Sequence, residues 1–362
     1  MTHIPDLTNL AARLLDWMQL ARRDLPWRRN RTPYAVWISE VMLQQTQVAT
    51  VVPYFERWLE RFPGVTALAT APLDDVLKLW EGLGYYARAR NLQRAAQAMV
   101  ERHGGRVPCD RRSLLALPGI GRYTAGAILS MAFGQPEPVL DGNVRRVLCR
   151  LYDVEGDPRA PEVEERLWQL SAALVQAAPG GRAGDFNEAL IELGALVCTP
   201  AAPDCPNCPI RQYCLAYQRD TTGLRPAKRT RPVTPYYDVV AAVVRNRDGQ
   251  VLIVQRPPQG LLGGLWGFPG GTVAPDEDLV DAVARTVEEQ TGLTVSARAA
   301  VRRVKHAYTH FRITLHAFTA AIEAGEARAL TCAQVRWVAV EELEDYPFPV
   351  TDRSIAREIA HR

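Results

Sequence analysis

The period of the apolar residues changes once along this chain, and that change limits the folds open to it. Up to about residue 218, segments such as LTNLAARLLDWMQLARR, YAVWISEVMLQQTQVATVVPYFERWLERF and LDDVLKLWEGLGYYARARNLQRAAQAMVERHG repeat apolar side chains at the spacing that lines one face of a helix. From residue 236 the apolar runs are short and strand-like, YYDVVAAVVRN, QVLIVQRP, FRITLHAFTAAI and VRWVAVEEL, with one helix at DLVDAVARTVEEQTG. Between them RDTTGLRPAKRTRPVTP has three prolines, a basic run and no apolar period, so it reads as a tether. The expectation is an all-helical domain over 1–218, a linker over 219–235 and an α+β domain over 236–362. A chain of 362 residues, 47% hydrophobic, has enough apolar side chains for two cores.

Charge balance excludes a simple polycation. Lys and Arg number 43 against 40 Asp and Glu, and the small surplus sits in the linker, with five basic residues and one acidic. No apolar run reaches the ~20 residues of a membrane span. Asp6 and Asp16 fall where a signal peptide would be basic and then apolar. The expectation is therefore a cytoplasmic chain of bacterial type, associated with the nucleoid and without a membrane partner. Seven cysteines are an odd number, and Cys198, Cys205, Cys208 and Cys214 crowd into one proline-punctuated loop, CTPAAPDCPNCPIRQYC, over 198–214. That clustering points to one four-thiolate site in a reducing compartment. Spacing alone leaves structural zinc and a 4Fe-4S cluster level, because thiolates suit both. Cys109, Cys149 and Cys332 stand apart and read as small buried residues.

Within residues 113–133, which include LLALPGIGRYTAGAILSMAF, a turn made by Pro118, Gly119, Ile120 and Gly121 separates two apolar helical stretches. Glycines there let a phosphate approach, and the free amides of the following helix N-terminus favour an anion, so the turn can hold a DNA backbone without reading sequence. Two carboxylates stand out. Glu40 in ISEVMLQQTQV sits among apolar residues, where burial would raise its pKa, and Asp141 in PVLDGNVRR opens a helix. By residue type alone the first also reads as a solvated helical Glu and the second as an N-cap.

The hairpin, the DGNVRR segment twenty residues beyond it and the cysteine group together resemble the helix-hairpin-helix DNA glycosylase superfamily that includes endonuclease III. The cysteine spacing matches that superfamily's 4Fe-4S loop. Its lyase members carry a nucleophilic Lys just after the hairpin, where this chain has Tyr123 in GIGRYTAGA. Without that amine no Schiff base forms with the opened sugar. This substitution, with SEVMLQQTQV and GLGYYARARNL, resembles the adenine DNA glycosylase, or MutY, family over nearly the whole chain. The resemblance implies base-excision repair: a monofunctional glycosylase that flips adenine mispaired with 8-oxoguanine or guanine out of duplex DNA and hydrolyses its N-glycosidic bond. Glu40 would be the acid that protonates adenine and then helps water attack, and Asp141 the anion that stabilises the oxocarbenium-like sugar. Tyr123 and Asn143 would position the acid and the sugar. Arg28, Trp27 and Glu188 match adenine-pocket positions, and Gln45, Thr46, Leu83 and Tyr85 match positions that probe or wedge beside the orphaned oxidised guanine.

The second domain carries a frame similar to the Nudix box in GTVAPDEDLVDAVARTVEEQTGL. Gly271, Glu277, Arg285, Val287, Glu289 and Gly292 fit, but Thr286 and Gln290 replace two acids. Two missing carboxylates leave a poor oxygen cage for a divalent metal, so a binding domain is expected rather than a second enzyme. The family resemblance assigns it 8-oxoguanine recognition through KHAYTHFRI, with Tyr308, Thr309 and His310 as the contact loop and His306 on the strand before it. Three rivals follow from the same residues: a bifunctional lyase on oxidised pyrimidines, a lesion-binding protein without turnover, and a nucleotide pyrophosphohydrolase. Tyr123, the intact Glu40 and Asp141 pair, and the missing acids respectively argue against them. A monomer suffices for one active site and one recognition domain, and the linker offers a contact to partner repair proteins.

Overall fold

The computed structural model describes residues 6–227 and 234–361. The chain forms two compact units, Met1–Ala69 with Arg94–Arg231, and Thr70–Gln93 with Pro232–Arg362. The linear division expected at residue 218 therefore differs at one place, because the GLGYY segment packs with the C-terminal unit. Glu81 receives the Arg353 guanidinium at 2.6 and 3.0 Å, Asp74 accepts from Trp266 Nε1 at 3.2 Å, and Arg90 donates to the Gly263 carbonyl at 2.6 Å. Partners up to 272 residues away leave no trace in a local period. Part of the expected tether is also structured. Thr222–Leu224 makes a helical turn, and Thr221 and Arg219 bond to Asp153 at 2.7 and 3.1 Å. Residues 228–233 of that stretch lie outside the described residues.

The first unit is helical throughout its described residues. Trp37, Phe55, Trp58, Phe62, Ile128 and Phe186 are fully buried in its core. The helix Ala183–Leu196 crosses two others at glycines that permit close approach. A Cβ added at Gly184 would lie 2.6 Å from the Ser130 carbonyl oxygen, and one at Gly194 would lie 2.6 Å from Asn143 Cβ. These contacts bring the helices Arg122–Met131 and Gly142–Leu151 against the one that carries Glu188.

Among the described residues of the second unit seven strands form two sheets: β1 (Tyr236–Val244), β2 (Val251–Gln255), β3 (Trp266–Gly267), β4 (Gly270–Thr272), β5 (Thr294–Ala307), β6 (Arg312–Ala324) and β7 (Gln334–Val338). Their orders are β4-β1-β6-β5 and β3-β2-β7, with β1 and β6 parallel. One apolar cluster, with Trp266, Phe268, Phe348, Ile355 and Ile359, packs the C-terminal helix Val350–Ala360 on one side. A second, with Val240, Ala242, Val244, Val283 and Val287, packs the helix Leu279–Thr291 on the other. The α+β reading from the strand-like runs agrees with this architecture.

Candidate active site

The helix Pro33–Met42 is apolar on every side, and each residue from Tyr34 to Met42 is buried. Such a helix carries any polar residue it contains into the interior. Glu40 is 6% exposed. Burial lifts its carboxyl to about 7; a hydrogen bond from Tyr123 opposes the rise, and the negative charges of Asp141 and Glu188 add to it. Tyr123 Oη donates to Glu40 Oε2 at 2.5 Å. Tyr123 itself lies in the first turn of the helix that begins after Gly121, whose N-terminus has no side-chain cap. Pro118 to Gly121 thus leads into a helix N-terminus whose first amides have no side-chain cap.

Asp141 is both the N-cap and a member of the site. Its Oδ1 accepts from Val144 N at 2.7 Å and its Oδ2 from Asn143 Nδ2 at 3.0 Å. Burial raises its carboxyl, while these amides at a helix N-terminus and the nearby Arg146 pull it down. Arg146 Nη2 donates to Asn143 Oδ1 at 2.9 Å and to the Gly194 carbonyl at 2.6 Å, and its Nε donates to the Cys198 carbonyl at 2.7 Å. The backbone that carries Asp141 and Asn143 is therefore tied to the start of the cysteine loop.

A cavity of about 640 Å³ opens between these helices, well within the size range of small-molecule sites. Trp27, Arg28, Glu40, Gln45, Thr46, Gly119, Gly121, Tyr123, Asp141, Asn143 and Glu188 all line it. Residue type did not single out Arg23 and Glu192, which also line it. Glu192 is fully buried and takes Arg23 at 2.6 and 2.8 Å and Arg28 at 2.8 Å. Burial pushes its carboxyl up, but these two guanidinium groups overcome that and hold it at about 2. One turn earlier Glu188 is buried too and accepts from Arg31 at 2.7 Å, yet burial leaves its carboxyl raised. The available signal was the four-residue interval between Glu188 and Glu192, which sets both on one helix face opposite the run ARRDLPWRRNR.

The remaining positions divide between the units. Gln45 holds a left-handed backbone, φ 58°, in the first, as Tyr85 does in the second at φ 49°. Such strain at residues other than glycine gathers at functional sites. In the second unit Tyr85 is 43% exposed and its hydroxyl bonds the Thr309 hydroxyl, whereas Leu83 is buried at 5%. Tyr308 N donates to the Phe311 carbonyl at 2.8 Å, closing a hairpin whose tip exposes Thr309 and His310. The Tyr308 ring packs between those of His306 and Phe311, at 4.6 and 4.7 Å.

Cys198, Cys205, Cys208 and Cys214 line one small recess in the first unit. Among the described residues no three His, Cys, Asp or Glu side chains converge closely enough for a single metal ion. Four cysteine thiols around one recess are a donor set that suits soft metals. Buried Arg150 frames them, donating to Cys198 Sγ at 3.3 Å and to the carbonyls of Thr199, Pro200, Thr222 and Arg225 at 2.7 to 3.2 Å. The Nudix-like box is closed by its own substitutions. Gln290 Oε1 accepts from Gly270 N at 3.0 Å while its Nε2 donates to the Gly270 carbonyl at 2.8 Å, and buried Thr286 donates to Ala282 O at 2.7 Å.

Known proteins match both halves of the chain. The HhH-GPD superfamily of base excision DNA repair proteins matches residues 38–173, and the NUDIX domain matches 240–358. The adenine DNA glycosylase of Rattus norvegicus is 38% identical over 94% of this chain and 76% of its own length, and that of Homo sapiens 38% over 94% and 72%. Among solved structures, a thermostable thymine-DNA glycosylase superposes with a TM-score of 0.53 at 30% identity, covering 59% of this chain and 97% of its own. Endonuclease III in a non-covalent DNA complex gives 0.51 at 25% identity, covering 61% and 99%. With both domains matched and relatives aligned along most of their length, the chain belongs to the adenine DNA glycosylases, hydrolases of N-glycosyl bonds.

Proposed function

We propose that this enzyme removes adenine paired with 8-oxoguanine or guanine from duplex DNA, as a monofunctional glycosylase. The observation that carries the reading is the constellation of Glu40, Tyr123, Asp141 and Asn143 around one cavity. With its carboxyl lifted to about 7, Glu40 is protonated in a large fraction of molecules at neutral pH and can give that proton to a ring nitrogen of a flipped adenine. The departing base then leaves as a neutral molecule. Asp141, held by its amide bonds, faces the sugar as positive charge develops. Glu40, now ionised, accepts a proton from the attacking water. Trp27, Arg28 and Glu188 line the space for the base, and the Glu192 fork fixes Arg28 there. With Tyr123 where a lyase would have an amine, no residue at this position can form a Schiff base.

Cys198, Cys205, Cys208 and Cys214 are the residues that would hold a 4Fe-4S cluster, which when bound cross-links the loop around them. Burial pushes the Cys208 thiol to about 12 and that of Cys214 to about 11, so these thiols need a bound metal to become thiolates. In the second unit Tyr308, Thr309 and His310 form the loop that would read 8-oxoguanine, with Tyr85 bonded to Thr309 at its side.

The test is base release from duplexes holding adenine opposite 8-oxoguanine, guanine or thymine, each read with and without hot alkali. Loss of adenine from the first two, with strand breaks mainly after alkali, is the expected result. Strand breaks without alkali, or a preference for oxidised pyrimidines, would replace this reading with the lyase one.

A further inference from the structure

The sheet in the second unit has one end where basic side chains are exposed on one face. In the register of β1, β6 and β5 three rungs present their side chains on the same face: Tyr236, Arg312 and Ala307; Asp238, Thr314 and Lys305; Val240, His316 and Arg303. Hydrogen bonds between Tyr236 and Thr314 and between His316 and Asp238 agree with that shared face. From the Val240 rung onward the helix Leu279–Thr291 covers it, and Val240, Ala242, Val244 and Ala320 are buried there. At the open end Arg303, Lys305 and Arg312 are exposed, and none has a side-chain hydrogen bond or ion pair among the described residues. The only carboxylate on these rungs, Asp238, is taken by His316 Nε2 at 2.7 Å.

Several other cations of the same unit have a carboxylate partner. On the opposite face Arg302 pairs with Glu358 at 2.7 Å; Arg298 pairs with Glu323 at 3.1 Å, and Arg285 with Glu277 at 2.6 Å. Like charges on neighbouring strand positions repel and weaken a sheet. Three of them without counter-charges are best explained by an anion that comes from outside. Residues two apart on a strand stand about 7 Å from one another, a spacing that lets Arg303 and Lys305 take different phosphates. Both strands run into the hairpin tip at Thr309 and His310, and Arg312 lies two residues past that tip.

We propose that Arg303, Lys305 and Arg312 form a phosphate-binding face that grips the DNA backbone beside the base read by the hairpin tip. The proposal rests on the reading of that tip as the lesion-recognition loop. It assigns the sheet face affinity without sequence preference, and the tip selectivity.

The experiment measures binding of the full chain to a duplex with 2′-fluoro-adenosine, whose electron-withdrawing substituent blocks base loss, opposite 8-oxoguanine or guanine. Affinity is followed between about 50 and 200 mM salt, and each lost phosphate contact should make the slope of log affinity against log salt shallower by about 0.9. The triple variant R303Q/K305Q/R312Q should lose about 2 to 3 from the slope, equally on both duplexes, and keep the wild-type ratio between them. R302Q, on the opposite face, removes one charge as a control and should keep the wild-type slope. An unchanged slope in the triple variant overturns the proposal and leaves an acidic protein surface as the occupant. A loss of slope per charge as large in R302Q also overturns it, since bulk charge would then explain the effect. Equal wild-type affinity for the two duplexes would sink the lesion reading instead, while the slope still judges the face.

Discussion

The pocket around Glu40 and the box around Glu277 both set carboxylates in a helical frame, yet they end in opposite electrostatic states. In the pocket, burial outweighs the available partners at Glu40, Asp141 and Glu188, whose carboxyls are held above their ordinary values, while Glu192 on the same cavity is held at about 2 by Arg23 and Arg28. In the box, Arg285 reaches both Glu277 and Glu289, and its hydrogen bonds hold Glu277 at about 2. Gln290 and Thr286 spend their remaining hydrogen bonds on backbone. A carboxyl that titrates near neutrality beside a cavity can move a proton. One already neutralised by a guanidinium on an exposed surface can only hold shape. On the proposed function, a carboxyl left without a guanidinium partner, as Glu40 is, distinguishes the pocket from the box.

Removing the uncompensated acid should have the largest effect. Glu40→Gln keeps the shape and an acceptor for Tyr123 but carries no proton to give, so adenine release in single turnover should fall about 10² to 10⁴-fold while duplex binding persists. The same change should stabilise the protein at alkaline pH. A carboxyl raised from 4.5 to about 7 means that the folded state holds a proton the unfolded chain has lost, so stability falls as pH rises through that window. The penalty, about 3 kcal/mol once pH exceeds both values, is absent in the variant. Thermal melts at pH 5 and pH 8 measure it, and a variant that gains nothing at pH 8 would mean that Glu40 is not held as a buried acid.

The converse change tries to restore the box. Thr286→Glu with Gln290→Glu returns both acids, yet no divalent-metal hydrolysis of nucleoside triphosphates is expected. A Glu at 290 cannot donate to the Gly270 carbonyl as the amide does, and Thr286 is buried, with its methyl 3.0 Å from where a Cβ on Gly271 would sit. Unpartnered or repelling buried groups of this kind cost about 1 to 3 kcal/mol each, which denaturant melts would detect. Phosphate release by the double variant would show that the two regions differ by two side chains only, and the comparison would fail.

Much of this was legible in the sequence, for reasons that particular residues make plain. Glu40 announced its burial because it sits in an apolar helix, and Asp141 its capping role because Gly and Asn follow it. Both are local patterns. Thr286 and Gln290 were visible as missing acids, but the amide clasp on Gly270 was not, since it depends on β4 meeting the helix Leu279–Thr291. Glu192 looked like any helical Glu until the fold set Arg23 and Arg28, more than 160 residues earlier, against it. The packing of 70–93 with the C-terminal unit had no local signal either, because Asp74 and Glu81 carry no sign of their distant partners Trp266 and Arg353.

The smallest expected effect probes the one bond that tempers the acid. Tyr123 donates to Glu40 Oε2, and a donor favours the ionised carboxyl, against the effect of burial. Tyr123→Phe removes it, so the Glu40 carboxyl should move above 7. An acid that must be protonated works below its pKa and is lost as pH rises through it, so the falling limb of single-turnover rate against pH should shift to higher pH. A hydrogen bond to a charged group contributes about 1.5 to 3 kcal/mol, equivalent to about one to two pH units. The plateau at low pH should drop by roughly tenfold, because the acid is then less well oriented. Asp141 makes the sign decisive. Its carboxyl must be ionised to face the sugar cation, so it governs the rising limb at acid pH, and Tyr123→Phe should leave that limb in place. A falling limb that stays put, or moves to lower pH, would mean that Tyr123 does not act through Glu40.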